Sequence, residues 1–168
     1  MKWLGTILII AGCGYAGIAA GIAYKREEAA LEQLCEHLQY MICRLKFHQI
    51  SLPELFSYLE KEAKPPLRAF YANVIRELNM RTFPDAPGCL KSAVDATVDL
   101  PQHTRSCLLL LGRFFGRFDL EGQLRGAESV YEICREKYMN MAKKHTVCIR
   151  SYLIFGLCGG AAIAVLLI

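Results

Sequence analysis

Cys35 and His37 form the closest cysteine–histidine pair in the chain. A zinc site needs four ligands, usually in pairs two to five residues apart, and neither residue has such partners. Two positions apart on a helix, the two side chains also do not face each other. The chain holds eight cysteines, at 13, 35, 43, 89, 107, 134, 148 and 158, with no CxxC among them. An even count suits a disulfide framework, but cysteines scattered on apolar helix faces behave as small buried hydrophobes. Reduced thiols and no metal site are therefore expected. His37, His48, His103 and His145 are dispersed, and none adjoins a nucleophile–acid pair. Glu27-Glu28 and Glu60/Glu62 read as solvated helix faces rather than paired acid/base carboxylates. No phosphate-cradling GxxxxGK[ST] loop, HExxH or GxSxG occurs. The sequence predicts no catalytic residue and no cofactor, and the protein is not expected to be an enzyme. Arg113 and Arg117 interleave with Phe114, Phe115 and Phe118. Core aromatics beside exposed arginines account for that pattern without a nucleic-acid or ligand patch.

The elements that carry these residues read as helices throughout. Arg26–His48 is free of Gly and Pro, and Leu31, Leu34, Leu38, Met41 and Leu45 step by three and four along one face. Ser51-x-x-Glu54 with Pro53 reads as a capping box opening a helix to about Ala63. Pro65-Pro66 separate it from a third helix over about Pro66–Met80, with Leu67, Phe70, Tyr71, Val74 and Leu78 on one side. Residues 83–88 read as a turn, Cys89–Val98 as a short helix, and Gln102–Phe115 as another. Gly116 is expected to stop that helix in a left-handed conformation, and Asp119 to cap the next. Leu120, Leu124, Ala127, Tyr131, Cys134, Tyr138 and Met141 then repeat as a heptad seam. No strand-type alternation persists, so the fold class is all-α, a bundle of about six helices. Its first and last long helices are expected to pair antiparallel.

Both ends of the chain are uncharged: Trp3–Tyr24 and Ser151–Ile168. Between them lie all 16 acidic residues and 19 of the 20 basic ones, a net of +3 on the middle segment. That balance is mild and spread out, so nucleic acid is not an expected partner. Helices of 22 and 18 residues reach about 33 and 27 Å, close to the roughly 30 Å hydrocarbon layer of a bilayer. The expected organisation is a transmembrane helix over 3–24, a helical domain over 25–150, and a second transmembrane helix over 151–168. Lys25-Arg26, Lys143-Lys144 and Arg150 flank the spans on the domain side, with only Lys2 opposite, which predicts a cytoplasmic domain and a multi-pass membrane protein. A cleaved signal peptide is the rival reading of the first span. Its apolar run exceeds the usual 7–15 residues, and the basic pair lies on the wrong side for export. Gly17-x-x-x-Gly21 and Gly156-x-x-x-Gly160 are candidate sites of close helix packing, within one chain or between copies.

Leu52-Pro53-Glu54-Leu55-Phe56 and Leu111-Gly112-x-x-Phe115-Gly116-x-x-Asp119-x-x-x-Gln123, placed between two apolar spans, resemble the stage III sporulation protein AB family of endospore-forming bacteria. The second motif is similar to the family's LG..LG..D...Q, with Phe115 in place of a leucine. The resemblance covers essentially the full length. It implies a domain similar in fold to the cytoplasmic domain of platform protein F of type II secretion and type IV pilus systems. It also implies a non-enzymatic platform or adaptor subunit of a secretion-like channel complex between mother cell and forespore. Such a subunit would bridge a cytoplasmic secretion-type ATPase and membrane ring proteins, at the mother-cell membrane around the forespore. Arg113, Arg117 and Gln123 are the candidate docking region. The alternative is a self-oligomerising membrane protein whose glycine-bearing spans form or stabilise a pore.

Overall fold

The computed structural model describes the backbone of residues 2–48, 51–80, 85–115 and 120–167, and side chains for residue 15 and for 18–47, 51–80, 85–115 and 121–144. All of its regular structure is helical: α1 (Lys2–His48), α2 (Leu52–Glu62), α3 (Leu67–Met80), α4 (Ala86–Ala96), α5 (Gln102–Phe114) and α6 (Leu120–Leu167). The chain forms two compact units. One joins Met1–Glu28 with Asn140–Ile168, and the other is Ala29–Met139. Each contains parts of α1 and α6.

In the unit Ala29–Met139, the leucine face of α1 is the centre of the core. Leu31, Leu34, Leu38 and Met41 are fully buried and Leu45 nearly so, as the three-four spacing predicts. The helices α2 to α5 pack as sequential neighbours, α2 on α3, α3 on α4 and α4 on α5. Their apolar faces meet in an aromatic cluster. Phe56 of α2, Phe70 and Tyr71 of α3, and Phe115 at the end of α5 are all fully buried. The Phe56 and Phe115 rings meet edge-on at 6.3 Å between centroids, a preferred arrangement for the ring quadrupoles. Leu78, expected on the buried side of α3, is half-buried.

Local sequence sets most helix ends, with two departures from expectation. Ser51 occupies the N-cap of α2 in extended conformation, yet its side chain makes no capping hydrogen bond. Ser51 is exposed, so water can serve the free amides that a capping box would satisfy. The second departure is α4, which begins at Ala86, with Asp85 in the N-cap position and Pro87 in the first turn. The stretch read as a turn thus contributes a helical turn, because a first-turn proline lacks an N–H that the helix does not need there. The end of α5 agrees with the reading to within a residue, with Phe115 as an extended C-cap. Gly116, Arg117 and Asp119 lie outside the described residues.

The seam on α6 matches the heptad reading at Ala127, Cys134 and Met141 and departs from it elsewhere. Ala127, Val130 and Cys134 are buried, while Leu124, Tyr131 and Tyr138 are half-buried. Tyrosine explains part of this, since its apolar ring covers the seam while its hydroxyl reaches the edge. The Tyr138 hydroxyl donates to Glu32 Oε1 at 3.0 Å. Cys35 meets Cys134 in the same unit. Rising positions on α1 thus meet falling positions on α6, and the two helices run antiparallel here.

In the other unit, the Tyr24 hydroxyl donates to the Met141 carbonyl at 2.8 Å, joining α1 and α6 again. Among the described residues no helix is long and apolar enough to cross a membrane. Most side chains of the two uncharged stretches, including Gly17, Gly156 and Gly160, lie outside the described residues.

Candidate functional site

Three thiols converge where α1, α5 and α6 meet. Cys35 Sγ lies 3.2 Å from Cys134 Sγ, its S–H donating to the Cys134 sulfur. The Cys134 S–H points to the Leu31 carbonyl at 3.7 Å. Cys107 of α5 lies close enough to Cys134 for the two thiols to perturb each other. Cys134 is fully buried and Cys107 is 1% exposed, whereas Cys35 is half-buried. The helical periods bring them together: Cys134 falls on the buried stripe of α6, and Cys107 on the buried stripe of α5 with Leu108 and Leu111. Once either neighbour loses its proton the Cys134 S–H can turn to donate to it, so the Cys35 thiol is held below its ordinary value and that of Cys107 is lowered to about 7. The central Cys134 thiol is pushed up by its interactions with Cys107 and Cys35 and by burial. The described residues contain no group of three or more His, Cys, Asp or Glu arranged to hold a metal ion.

His37 lies nearly two helical turns beyond Leu31 on α1 and is 7% exposed. Its Nδ1 is 3.0 Å from the Tyr71 hydroxyl. Burial pushes the His37 imidazole down to about 4 and the Tyr71 hydroxyl well up, so both are neutral near pH 7. Cys35 and His37 serve different neighbours, as their two-residue spacing on a helix requires.

The predicted docking region is only partly described. Arg113 is exposed in the last turn of α5 and Gln123 is half-buried near the start of α6; Arg117 lies outside the described residues. Beside them, Phe114, Gly122, Arg125, Gly126 and Ser129 line a shallow hollow of about 220 Å³. It adjoins a larger groove of about 640 Å³ lined by Gln39 and Ile42 of α1 and by Arg125, Glu128, Tyr131 and Glu132 of α6. Two glycines shape this end. A Cβ at Gly112 would stand 3.3 Å from Leu90 Cβ, and one at Gly126 would collide with the Phe114 side chain. Gly112 therefore lets α5 lie close on α4, and Gly126 lets the end of α5 lie on α6. Nothing in the reading of the sequence singled out Gly126. The signal available was a glycine beside Ala127 in the middle of an otherwise strong helix, where it disfavours the helix by about 1 kcal/mol relative to alanine. Gly21 differs, since a Cβ there meets nothing within 4 Å.

A family model described as stage III sporulation protein AB (spore_III_AB) matches residues 2–168. The chain belongs to the stage III sporulation protein AB family. A solved structure titled stage III sporulation protein AB (SpoIIIAB) superposes with a TM-score of 0.63, over 71% of this chain and 96% of the other, at 13% sequence identity. At that identity the likeness concerns the fold, and it agrees with the all-helical arrangement. No curated protein matches the sequence. Leu111–Gln123 is the stretch that carried the sequence resemblance, and the fold gives part of that motif a packing role. Gly112 and Phe115 of that motif are both buried, Gly112 against α4 and Phe115 against Phe56.

Proposed function

We propose that this protein is a non-enzymatic platform subunit of a sporulation channel complex, held in the membrane by its two ends. The observation that supports this reading best is the arrangement of α1 and α6. Each is a single helix of 47 or 48 residues that contains one uncharged stretch and also contributes to the buried seam of the unit Ala29–Met139. Helices of that composition suit a protein that attaches a folded docking domain to a bilayer. In this reading 3–24 and 151–168 cross the mother-cell membrane around the forespore, and the helical domain faces the cytoplasm. A cytoplasmic secretion-type ATPase docks on the domain, and membrane ring proteins of the channel complex contact the spans. The docking face includes Arg113 and the groove between α1 and α6.

The test is to reconstitute the full chain in bilayers with the ATPase of the same complex and measure co-sedimentation. Specific capture that weakens on replacing Arg113 and Arg125 with glutamate, with helicity and melting unchanged, supports docking. Equal capture by empty bilayers refutes it. Protection of single cysteines at positions 8 and 160 from a membrane-impermeant maleimide reports the spans separately from docking.

A second reading, self-association through the glycine-bearing ends, is favoured by the open space beside Gly21. Small residues on an open helix face permit close approach of a second helix. A crosslinking ladder from a cysteine introduced at Gly21 in bilayers would support it, and monomer alone would exclude it.

A further inference from the structure

We infer that Cys35 and Cys134 form a peroxide-oxidisable dithiol site, in which a hydroperoxide converts the pair to a disulfide joining α1 to α6. Geometry defines this site, independently of any docking role. The two sulfurs are 3.2 Å apart although the residues are 99 positions apart in sequence. A disulfide needs about 2.04 Å, so closure asks the sulfurs to move together by roughly 1.2 Å, within reach of modest χ1 rotation on facing helices.

Access divides the roles. Cys134 and Cys107 are shielded, at 0% and 1% exposure, whereas Cys35 is half-buried and accessible at one edge. A small hydroperoxide therefore meets Cys35 first. Once the Cys35 thiol loses its proton, the Cys134 S–H can turn from the Leu31 carbonyl towards it, which favours the reactive thiolate. The Cys35 sulfur attacks one peroxide oxygen, the O–O bond breaks, and Cys35 becomes a sulfenic acid while hydroxide leaves and takes up the proton Cys35 had lost. The Cys134 sulfur then attacks the Cys35 sulfur. Its S–S bond forms as the S–O bond breaks, and the Cys134 proton goes to the departing hydroxyl as water. In sum, two thiols and one hydrogen peroxide give one disulfide and two waters. The neighbouring Cys43 is exposed on α1 and serves as an internal control.

The full chain in detergent micelles, reduced and freed of reductant, is treated with a small molar excess of hydrogen peroxide and blocked with N-ethylmaleimide. Digestion with trypsin and a glutamate-specific protease cuts after Glu36 and so separates Cys35 from Cys43. The expected product links fragment Gln33–Glu36 to Ile133–Arg135, two hydrogens lighter than the separate pieces. Before digestion the oxidised chain runs as a monomer on a non-reducing gel, and the link reverts with dithiothreitol. Cys43→Ser retains the link and Cys35→Ser abolishes it. Oxidation of Cys35 to sulfinic or sulfonic acid with Cys134 left as a free thiol overturns the inference. So does a link from Cys134 to Cys107, or one formed only between chains. Because the wild-type map alone gives the answer, a variant that fails to fold does not weaken the test.

Discussion

Acidification should destabilise this protein through His37, and the size of the effect follows from its surroundings. The imidazole is 7% exposed and its Nδ1 meets the hydroxyl of fully buried Tyr71 at 3.0 Å. Burial lowers its affinity for a proton from the ordinary 6.5 to about 4. Below pH 6.5 the unfolded chain binds a proton at this position that the folded chain refuses until about pH 4. Unfolding therefore takes up a proton in that window, and stability falls as pH falls through it. A difference of roughly 2.5 pH units at 1.36 kcal/mol each amounts to about 3 kcal/mol. Above pH 6.5 the contribution is fully present, and below about 4 no more is lost. Urea unfolding of the full chain in micelles, followed by helical circular dichroism between pH 7.5 and 3.5, would measure it against His37→Phe. Carboxylates titrate in both proteins, so the difference between the two curves isolates the histidine. An NMR titration of the imidazole carbons gives the folded-state value directly, with the variant identifying which of the four histidines is His37. A His37 midpoint near 6.5, or parallel pH curves for the two proteins, would refute the reasoning.

Other perturbations address separate parts of the core. Leu38→Ala, at a fully buried position of the α1 seam, should lower unfolding free energy by about 2–5 kcal/mol, readable as a lower urea midpoint with an unchanged slope. Gly126→Val should destabilise by about 1–3 kcal/mol through overpacking against Phe114; an unchanged midpoint would show that α5 can retreat from α6 freely. Thr97 Oγ1 donates to the Ala93 carbonyl at 2.8 Å and accepts from Asn73 Nδ2 at 3.0 Å. Thr97→Val should therefore lose about 1–2 kcal/mol by leaving the Asn73 amide short of a partner, and Asn73→Ala in the same background should cost little more.

Much of the architecture was legible because helix periodicity is a local property. The spacing of Leu31, Leu34, Leu38, Met41 and Leu45 specifies one face, and burial of that face follows whichever partner it finds. Proline positions set the breaks between α2 and α3 and between α4 and α5, because a ring without an N–H cannot continue a helix interior. The same locality explains the errors. Ser51-x-x-Glu54 has the composition of a capping box, but exposure lets water take the place of the side chain. Pro87-Gly88 has the composition of a turn, but a proline in the first helical turn is equally stable. On α6 the heptad reading placed Leu124, Tyr131 and Tyr138 on the seam. The structure buries Ala127, Cys134 and Met141 of that seam as read, and the neighbours supplied by α1 and α5 add Val130.

By itself the sequence determined that this protein is helical, that all its side-chain charge but Lys2 lies in the middle, and that its longest helices include the two uncharged ends. These follow from residue type and spacing along one chain. The tertiary structure alone decided which cysteines meet. Cys35, Cys107 and Cys134 are separated by 72 and 27 positions, and only the antiparallel register of α1 and α6, with α5 beside them, brings their sulfurs together. It also decided that His37 loses its solvent, that Gly126 must lack a side chain, and that Gly112 lies against α4. Periodicity tells a residue which face of its own helix it occupies. What stands opposite depends on register and crossing between distant segments, and no local pattern contains that information.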